Sequence, residues 1–144
     1  MEFDLEIVID RPVKDVFDYV TNVRNLPEWQ ESAIEVDWVE GGSPGQGARL
    51  RERRDLLGRT IESELEVTAY EPDRRFDVKA LSGPIRFEVR HSFEAAGGGT
   101  RLRLTAEGQA GGMLRFAGPM VTRQAERQFR GDLERLKHVL ESER

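Results

Sequence analysis

Phe3, Leu5, Ile7 and Ile9 alternate with mostly charged positions at the start of the chain. A period of two over that length predicts a strand with one buried face. Asp10 and Pro12 follow as a helix-start signal, with Asp as the cap and Pro in the first turn. Val13, Val16, Phe17 and Val20 fall at i, i+3, i+4 and i+7, the spacing of an amphipathic helix. A short second helix or turn spans 22–29 and ends in LPEW. Residues 33–39 read as a strand, GGSPGQG as a loop, and further strands are expected at 48–55, 60–70, 75–81, 85–94 and 100–109. Helical periodicity returns over 112–141, interrupted early by Pro119. The order of one strand, two short helices, six antiparallel strands and one long helix is an α+β pattern. A length of 144 residues suits a single domain spanning 1–144.

The hairpins carry register information. Pairing Arg53 with Glu62 sets Arg51 against Glu64 and Arg49 against Glu66, so one face bears three opposite-charge neighbours. The other face then carries Ala48/Val67, Leu50/Leu65, Glu52/Ser63 and Arg54/Ile61. The same logic pairs Val67 with Val78 and Ala69 with Phe76 across EPDR. It pairs Ala80 with Ile85 and Val78 with Phe87 across SGP. Across the glycine loop it pairs Phe93 with Leu102 and His91 with Leu104. A one-residue slip would turn every side chain to the wrong face. The apolar faces line up, and Leu114, Val121, Ala125, Phe129, Leu133, Leu136 and Leu140 form a matching stripe on the last helix. A long helix across the concave side of a curved sheet is therefore expected to enclose the core.

Charge changes the picture in one place. The run ARLRERRDLLGR resembles a basic patch, but each arginine of the strand's outer face stands against a glutamate, and the net charge of the chain is −5. The arginines read as the solvated face of a sheet, and no nucleic-acid partner is expected. The chain has no cysteine, so disulfides, thiolate metal sites and a cysteine nucleophile are excluded. Its two histidines, His91 and His138, rule out a multi-histidine zinc site, and no metal is expected. GGSPGQGA lacks the Lys-Ser/Thr of a phosphate loop, no dinucleotide fingerprint follows a strand, and no cofactor is implied. The acidic, alternating N-terminus is unlike a signal peptide, and no apolar run approaches the length of a membrane span. A cytoplasmic domain without stable membrane insertion, monomeric or homodimeric, is the expectation.

The element order, the opening VIDRPVKDVFDYVTNVRNLPEW, the residues Gly45, Gly47, Arg49 and Leu50 leading into a strand, the LLGR hairpin, EPDRRF, the SGP turn and GGTRLRL together resemble the START-like helix-grip (SRPBCC) superfamily. That superfamily includes the Bet v 1 allergens and the polyketide cyclase/dehydrase-like proteins. The resemblance covers essentially the whole chain. It implies a curved antiparallel sheet of about seven strands around a long C-terminal helix, with a largely apolar cavity between them. It supplies no universal catalytic residue.

Polar residues on the apolar face are the candidates for chemistry, because their burial requires compensation. Glu52 and Ser63 are cross-strand neighbours there, Arg54 is next along, His91 interrupts Ile85, Phe87, Val89 and Phe93, and Asp132 falls within the apolar arc of the helix. Glu52 and His91 are the candidate acid/base residues. The alternative is that Glu52, Arg54 and Asp132 satisfy one another and that His91 is a hydrogen-bonded core residue. A Glu52–His91 dyad is excluded by the registers, which place the two at opposite ends of the sheet. The expected cavity wall comprises Leu50, Glu52, Arg54, Ser63, Leu65, Val78, Phe87, His91, Val121, Phe129 and Asp132. Leu56, Leu57, Phe116 and Met120 are expected at its mouth, with the Leu56–Leu57 tip either a lip or a dimer contact. Trp29 reads as the anchor of the short helix and Trp38 as core. Three functions fit: a binder of a small hydrophobic or aromatic molecule, a polyketide-cyclase-like enzyme, or a protein-interaction module.

Overall fold

The computed structural model describes residues 2–39, 44–56, 58–83, 85–110 and 118–142. Seven strands form one antiparallel sheet: β1 (Glu2–Ile9), β2 (Ala33–Trp38), β3 (Arg49–Leu56), β4 (Arg59–Glu71), β5 (Arg75–Ala80), β6 (Ile85–Ala96) and β7 (Gly99–Ala110). Their order across the sheet is β1-β7-β6-β5-β4-β3-β2. Between β1 and β2 lie α1 (Val13–Thr21), a single 3-10 turn (Val23–Asn25) and α2 (Leu26–Trp29), and α3 (Gly118–Ser142) follows the sheet. This is the expected α+β helix-grip arrangement.

Alternation sets the inner face. Phe3, Leu5, Ile9, Leu50, Leu65, Val67, Phe76, Val78, Val89, Phe93, Leu102 and Leu104 are buried, and the polar positions between them mostly face outward. On α3 Leu133, Leu136 and Leu140 recur at helical spacing and are buried, with Ala125 and Phe129 packed against the same core. Phe129 meets Phe3 of β1 at a ring-centroid distance of 5.4 Å. Each such fully buried aliphatic or aromatic side chain contributes about 1.5–3 kcal/mol relative to exposure. Position 114 of the expected stripe lies outside the described residues, as does the side chain of Val121.

The β3–β4 register is the expected one: Arg49, Arg51 and Arg53 stand opposite Glu66, Glu64 and Glu62, with Leu50 opposite Leu65 and Glu52 opposite Ser63. The charged groups join diagonally as well as straight across, through Arg49–Glu64 (3.4 Å), Arg53–Glu62 (3.7 Å) and Lys79–Glu66 (4.0 Å). Phe93 faces Leu102 and His91 faces Leu104.

Three local expectations are corrected. Ala69 faces Asp77 rather than Phe76, because the register shifts between Val67 and Ala69 and the extra residue of this bulge, Thr68, moves Phe76 opposite Tyr70. Val78 faces Val89 rather than Phe87, a shift of two that preserves the inward face because the strand period is two. The β5–β6 connection is correspondingly longer than a tight SGP turn. Asp10 does not cap α1: the cap position is Pro12, with no side-chain cap, and the Asp10 N–H instead donates to Glu141 Oε2 of α3 at 2.8 Å. Pro119 lies in the first turn of α3, where its missing N–H costs nothing, so it opens the described helix.

The C-terminal part of α3 is tied to the β1–α1 corner by further polar contacts. Arg11 Nη1 donates to the Leu140 carbonyl at 2.7 Å and Lys137 Nζ to the Val8 carbonyl at 2.6 Å.

Candidate functional site

Glu52 and Arg54 are two apart on β3, so their side chains leave the same, concave face. Arg54 donates through Nε to Glu52 Oε1 (3.1 Å) and through Nη2 to Glu52 Oε2 (2.9 Å), the two-pronged geometry that guanidinium and carboxylate share. Its remaining donors reach Ser32 Oγ (2.7 Å) and Gln30 Oε1 (2.8 Å) in the α2–β2 connection. Glu52, Gln30 and Ser32 are all buried. The local chain explains why they meet. The Ala33 N–H bonds back to the Gln30 carbonyl, the Asp55 N–H bonds to the Ser32 carbonyl, and the β2–β3 register is irregular between Ala33 and Glu35. Residues 30–32 are thereby held against the end of β3.

Asp132 closes the group from the helix side. It is 4 % exposed, its Oδ1 accepts the Glu31 N–H at 3.1 Å, and Arg135 Nη1 lies 3.9 Å away. Burial pushes its carboxyl above the ordinary aspartate range, partly opposed by the Glu31 N–H and by the charges of Arg54 and Arg135. Three separate elements, β3, the α2–β2 connection and α3, thus converge on one polar cluster. Ser63, opposite Glu52, is also buried, and Gly83 approaches it so closely that a Cβ there would sit 2.5 Å from Ser63 Oγ. The β5–β6 connection therefore folds over this end of the inner face.

His91 belongs to a different environment. Its Nδ1 lies 2.9 Å from the Phe76 carbonyl; a carbonyl only accepts, so Nδ1 carries the proton and Nε2 is the bare acceptor. Its ring lies 5.8 Å from that of Phe76 and 6.4 Å from that of Phe93, and Phe17 of α1 packs on Phe93 and Tyr70. Burial lowers the imidazole pKa, outweighing the Phe76 hydrogen bond and the nearby Asp77 charge. Glu52 is level with Ser63 on β4, whereas His91 pairs with Phe76, which faces Tyr70 seven residues further along. That is a separation of roughly 20 Å along the strand, so the two candidate acid/base residues do not meet.

Among the other candidates, Leu50 and Leu65 are buried core, Val78 is 9 % exposed, and Phe87 and Phe129 are half-buried against the core. Met120, expected at the mouth, is 74 % exposed. It precedes Phe129 by nine residues, two and a half turns, and so lies on the opposite face of α3. Leu57 and Phe116 lie outside the described residues, as does the side chain of Leu56. Trp29 is fully buried, and its indole N–H has no hydrogen-bond partner among the described residues. Two open clefts border the sheet ends. Both are walled mostly by charged residues, one of about 520 Å³ by Glu2, Lys79, Arg86, Glu88 and Glu107 beside Ala80, Phe87 and Gly108, the other of about 460 Å³ by Glu71, Arg74, Arg75 and Glu94 beside Ser92 and Phe93. No described residue of α3 lines either. No cluster of three or more potential metal ligands occurs among the described residues, and no described helix is long and apolar enough to cross a membrane. Gln30 and Ser32 escape sequence reading, because their connection has neither periodicity nor a motif.

The family model described as polyketide cyclase / dehydrase and lipid transport matches residues 1–141. No curated protein matches in sequence. Solved structures do match in fold. A START superfamily protein from Mycobacterium smegmatis is 16% identical with a TM-score of 0.84, covering 98% of this chain and 97% of its own. TTHA0849 from Thermus thermophilus is 19% identical with a TM-score of 0.83 and full coverage of both chains, 100% and 100%. The Zhui aromatase/cyclase from Streptomyces sp. R1128 is 18% identical with a TM-score of 0.76, covering 98% and 93%.

Proposed function

Since the chain belongs to the polyketide cyclase / dehydrase and lipid transport family, we propose that it binds a small hydrophobic or aromatic molecule between the concave face of the sheet and α3. One observation carries this reading. The charged side chains lying between the sheet and α3 are already engaged, Arg54 with Glu52, Gln30 and Ser32, and Asp132 with the Glu31 N–H. A ligand there would meet aliphatic and aromatic side chains, the half-buried Phe87 and Phe129 in front of the buried Leu50, Leu65 and Val78.

A second reading, a cyclase-type enzyme, draws support from the family description and from the aromatase/cyclase folds among the similar structures. In that case Glu52 would move a proton and Arg54 would hold it in place. Replacing Glu52 by Gln separates the two readings. A binder keeps its affinity for an apolar fluorescent probe to within the loss of one charge-assisted hydrogen bond, about 1.5–3 kcal/mol. A cyclase using Glu52 as its base retains binding while turnover of a poly-β-keto thioester falls by roughly 10²–10⁴. Failure of the wild-type protein to bind any apolar probe in a saturable, stoichiometric way, without unfolding, removes both readings together.

A further inference from the structure

Most arginines on the described surface have a carboxylate beside them. Arg11, Arg24, Arg49, Arg53, Arg75, Arg90, Arg101, Arg103 and Arg135 all form ion pairs at 4.0 Å or less. On α3 three arginines depart from that pattern. Arg123, Arg127 and Arg130 are exposed, and none is ion-paired or hydrogen-bonded with a described residue. At 100° per residue they fall within a sector of about 60°, and Met120 lies beside them on the same ridge, turned away from Phe129 and Leu133. Met120 is the most exposed of the large apolar side chains described, at 74 %. The nearest acids on the helix, half-buried Glu126 and exposed Glu134, form no ion pair with these arginines.

We propose that this outer face of α3 seats the protein on a bilayer surface that contains anionic lipid. The inference concerns the outside of the helix and stands whichever interior chemistry holds. Charge complementarity selects the occupant class. A straight ridge about 15 Å long with three unpaired guanidinium groups fits a plane of phosphates. The exposed thioether at its end suits the boundary between headgroup and acyl chain. A convex ridge offers an acidic protein no groove to fill, and such a partner leaves the exposure of Met120 without a use. The net charge of −5 does not prevent the contact, because at physiological ionic strength charges beyond about 8 Å from the ridge are largely screened.

The test is flotation of the full chain with vesicles of phosphatidylcholine alone and with a third of the lipid replaced by phosphatidylglycerol. The expected result is co-flotation with the anionic vesicles at low salt, release at high salt, and none with the neutral vesicles. With each basic residue near the surface contributing about 1 kcal/mol, replacing all three arginines by Gln weakens binding by roughly 100-fold. The variant R123E/R127E/R130E abolishes it. Both variants keep the wild-type far-ultraviolet spectrum and unfolding midpoint, since the replaced side chains face solvent. Met120→Ala weakens binding without changing its salt dependence. Absence of flotation with anionic vesicles overturns the proposal, as does equal flotation of wild type and charge-reversed protein. Binding to soluble polyglutamate that is lost in the charge-reversed variant, without any vesicle binding, would overturn it in favour of an acidic protein partner.

Discussion

At the scale of single residues, loss of Arg54 would strand three buried polar side chains. Arg54 neutralises Glu52, which is 4 % exposed, and satisfies Gln30 and Ser32. Arg54→Met would leave a buried carboxylate without its partner, at a cost of about 3 kcal/mol, the low end of the usual range because Arg54 itself is partly exposed. Adding Glu52→Gln removes the stranded charge and should recover much of that loss. Urea unfolding of the single and double variants checks both, and strict additivity would show that the pair is not coupled. His91 gives a pH signature. Its folded pKa is depressed, so the unfolded chain binds the extra proton first and stability falls as pH drops below about 6.5. His91→Gln should flatten the stability curve between neutral pH and pH ~5.5 relative to wild type, with little effect on probe binding. Both residues are legible in the sequence as polar positions on an apolar face. Their partners are not, because Gln30, Ser32 and the Phe76 carbonyl become neighbours only through the fold.

At the scale of elements, alternation identifies strands well but counts poorly through irregularities. Pairing across LLGR is readable because opposite charges and apolar residues agree on one register. Pairing across EPDR is not, since the bulge at Thr68 inserts a residue whose presence leaves no mark on the hydrophobic pattern. The β6–β7 turn is readable for a conformational reason: Gly97 and Gly98 have φ of +57° and +87°, both in the region glycine tolerates best. Gly99, just after them, is needed for a different reason. A Cβ there would meet the Ile9 carbonyl at 2.6 Å, a backbone atom that cannot swing aside. Gly99→Ala should therefore part the end of β1 from β7 and cost about 1–3 kcal/mol. A thermal midpoint unchanged from wild type would show that the β1–α1 corner yields more readily than the close contact suggests.

At the scale of the whole molecule, four polar ties between described residues join the C-terminal half of α3 to the rest of the protein. Asp132 accepts the Glu31 N–H, Lys137 reaches the Val8 carbonyl, Arg11 reaches the Leu140 carbonyl, and Glu141 receives the Asp10 N–H. Leu133, Leu136 and Leu140 are buried along the same half, whereas Ala125 and Phe129, nearer the start of the helix, are only half-buried. Local stability follows burial and hydrogen bonding, so the helix should open from its N-terminal end while its C-terminal end stays seated. On the proposed ligand-binding reading, that asymmetry would let an apolar ligand reach the concave face without unfolding the sheet. Amide hydrogen exchange resolved along the chain should show faster exchange over 122–130 than over 132–141, and a saturating apolar probe should slow the first segment far more than the second. Uniform exchange along α3 would argue against entry at that end. Protection confined to the C-terminal half on probe binding would place entry at the β1–α1 corner instead.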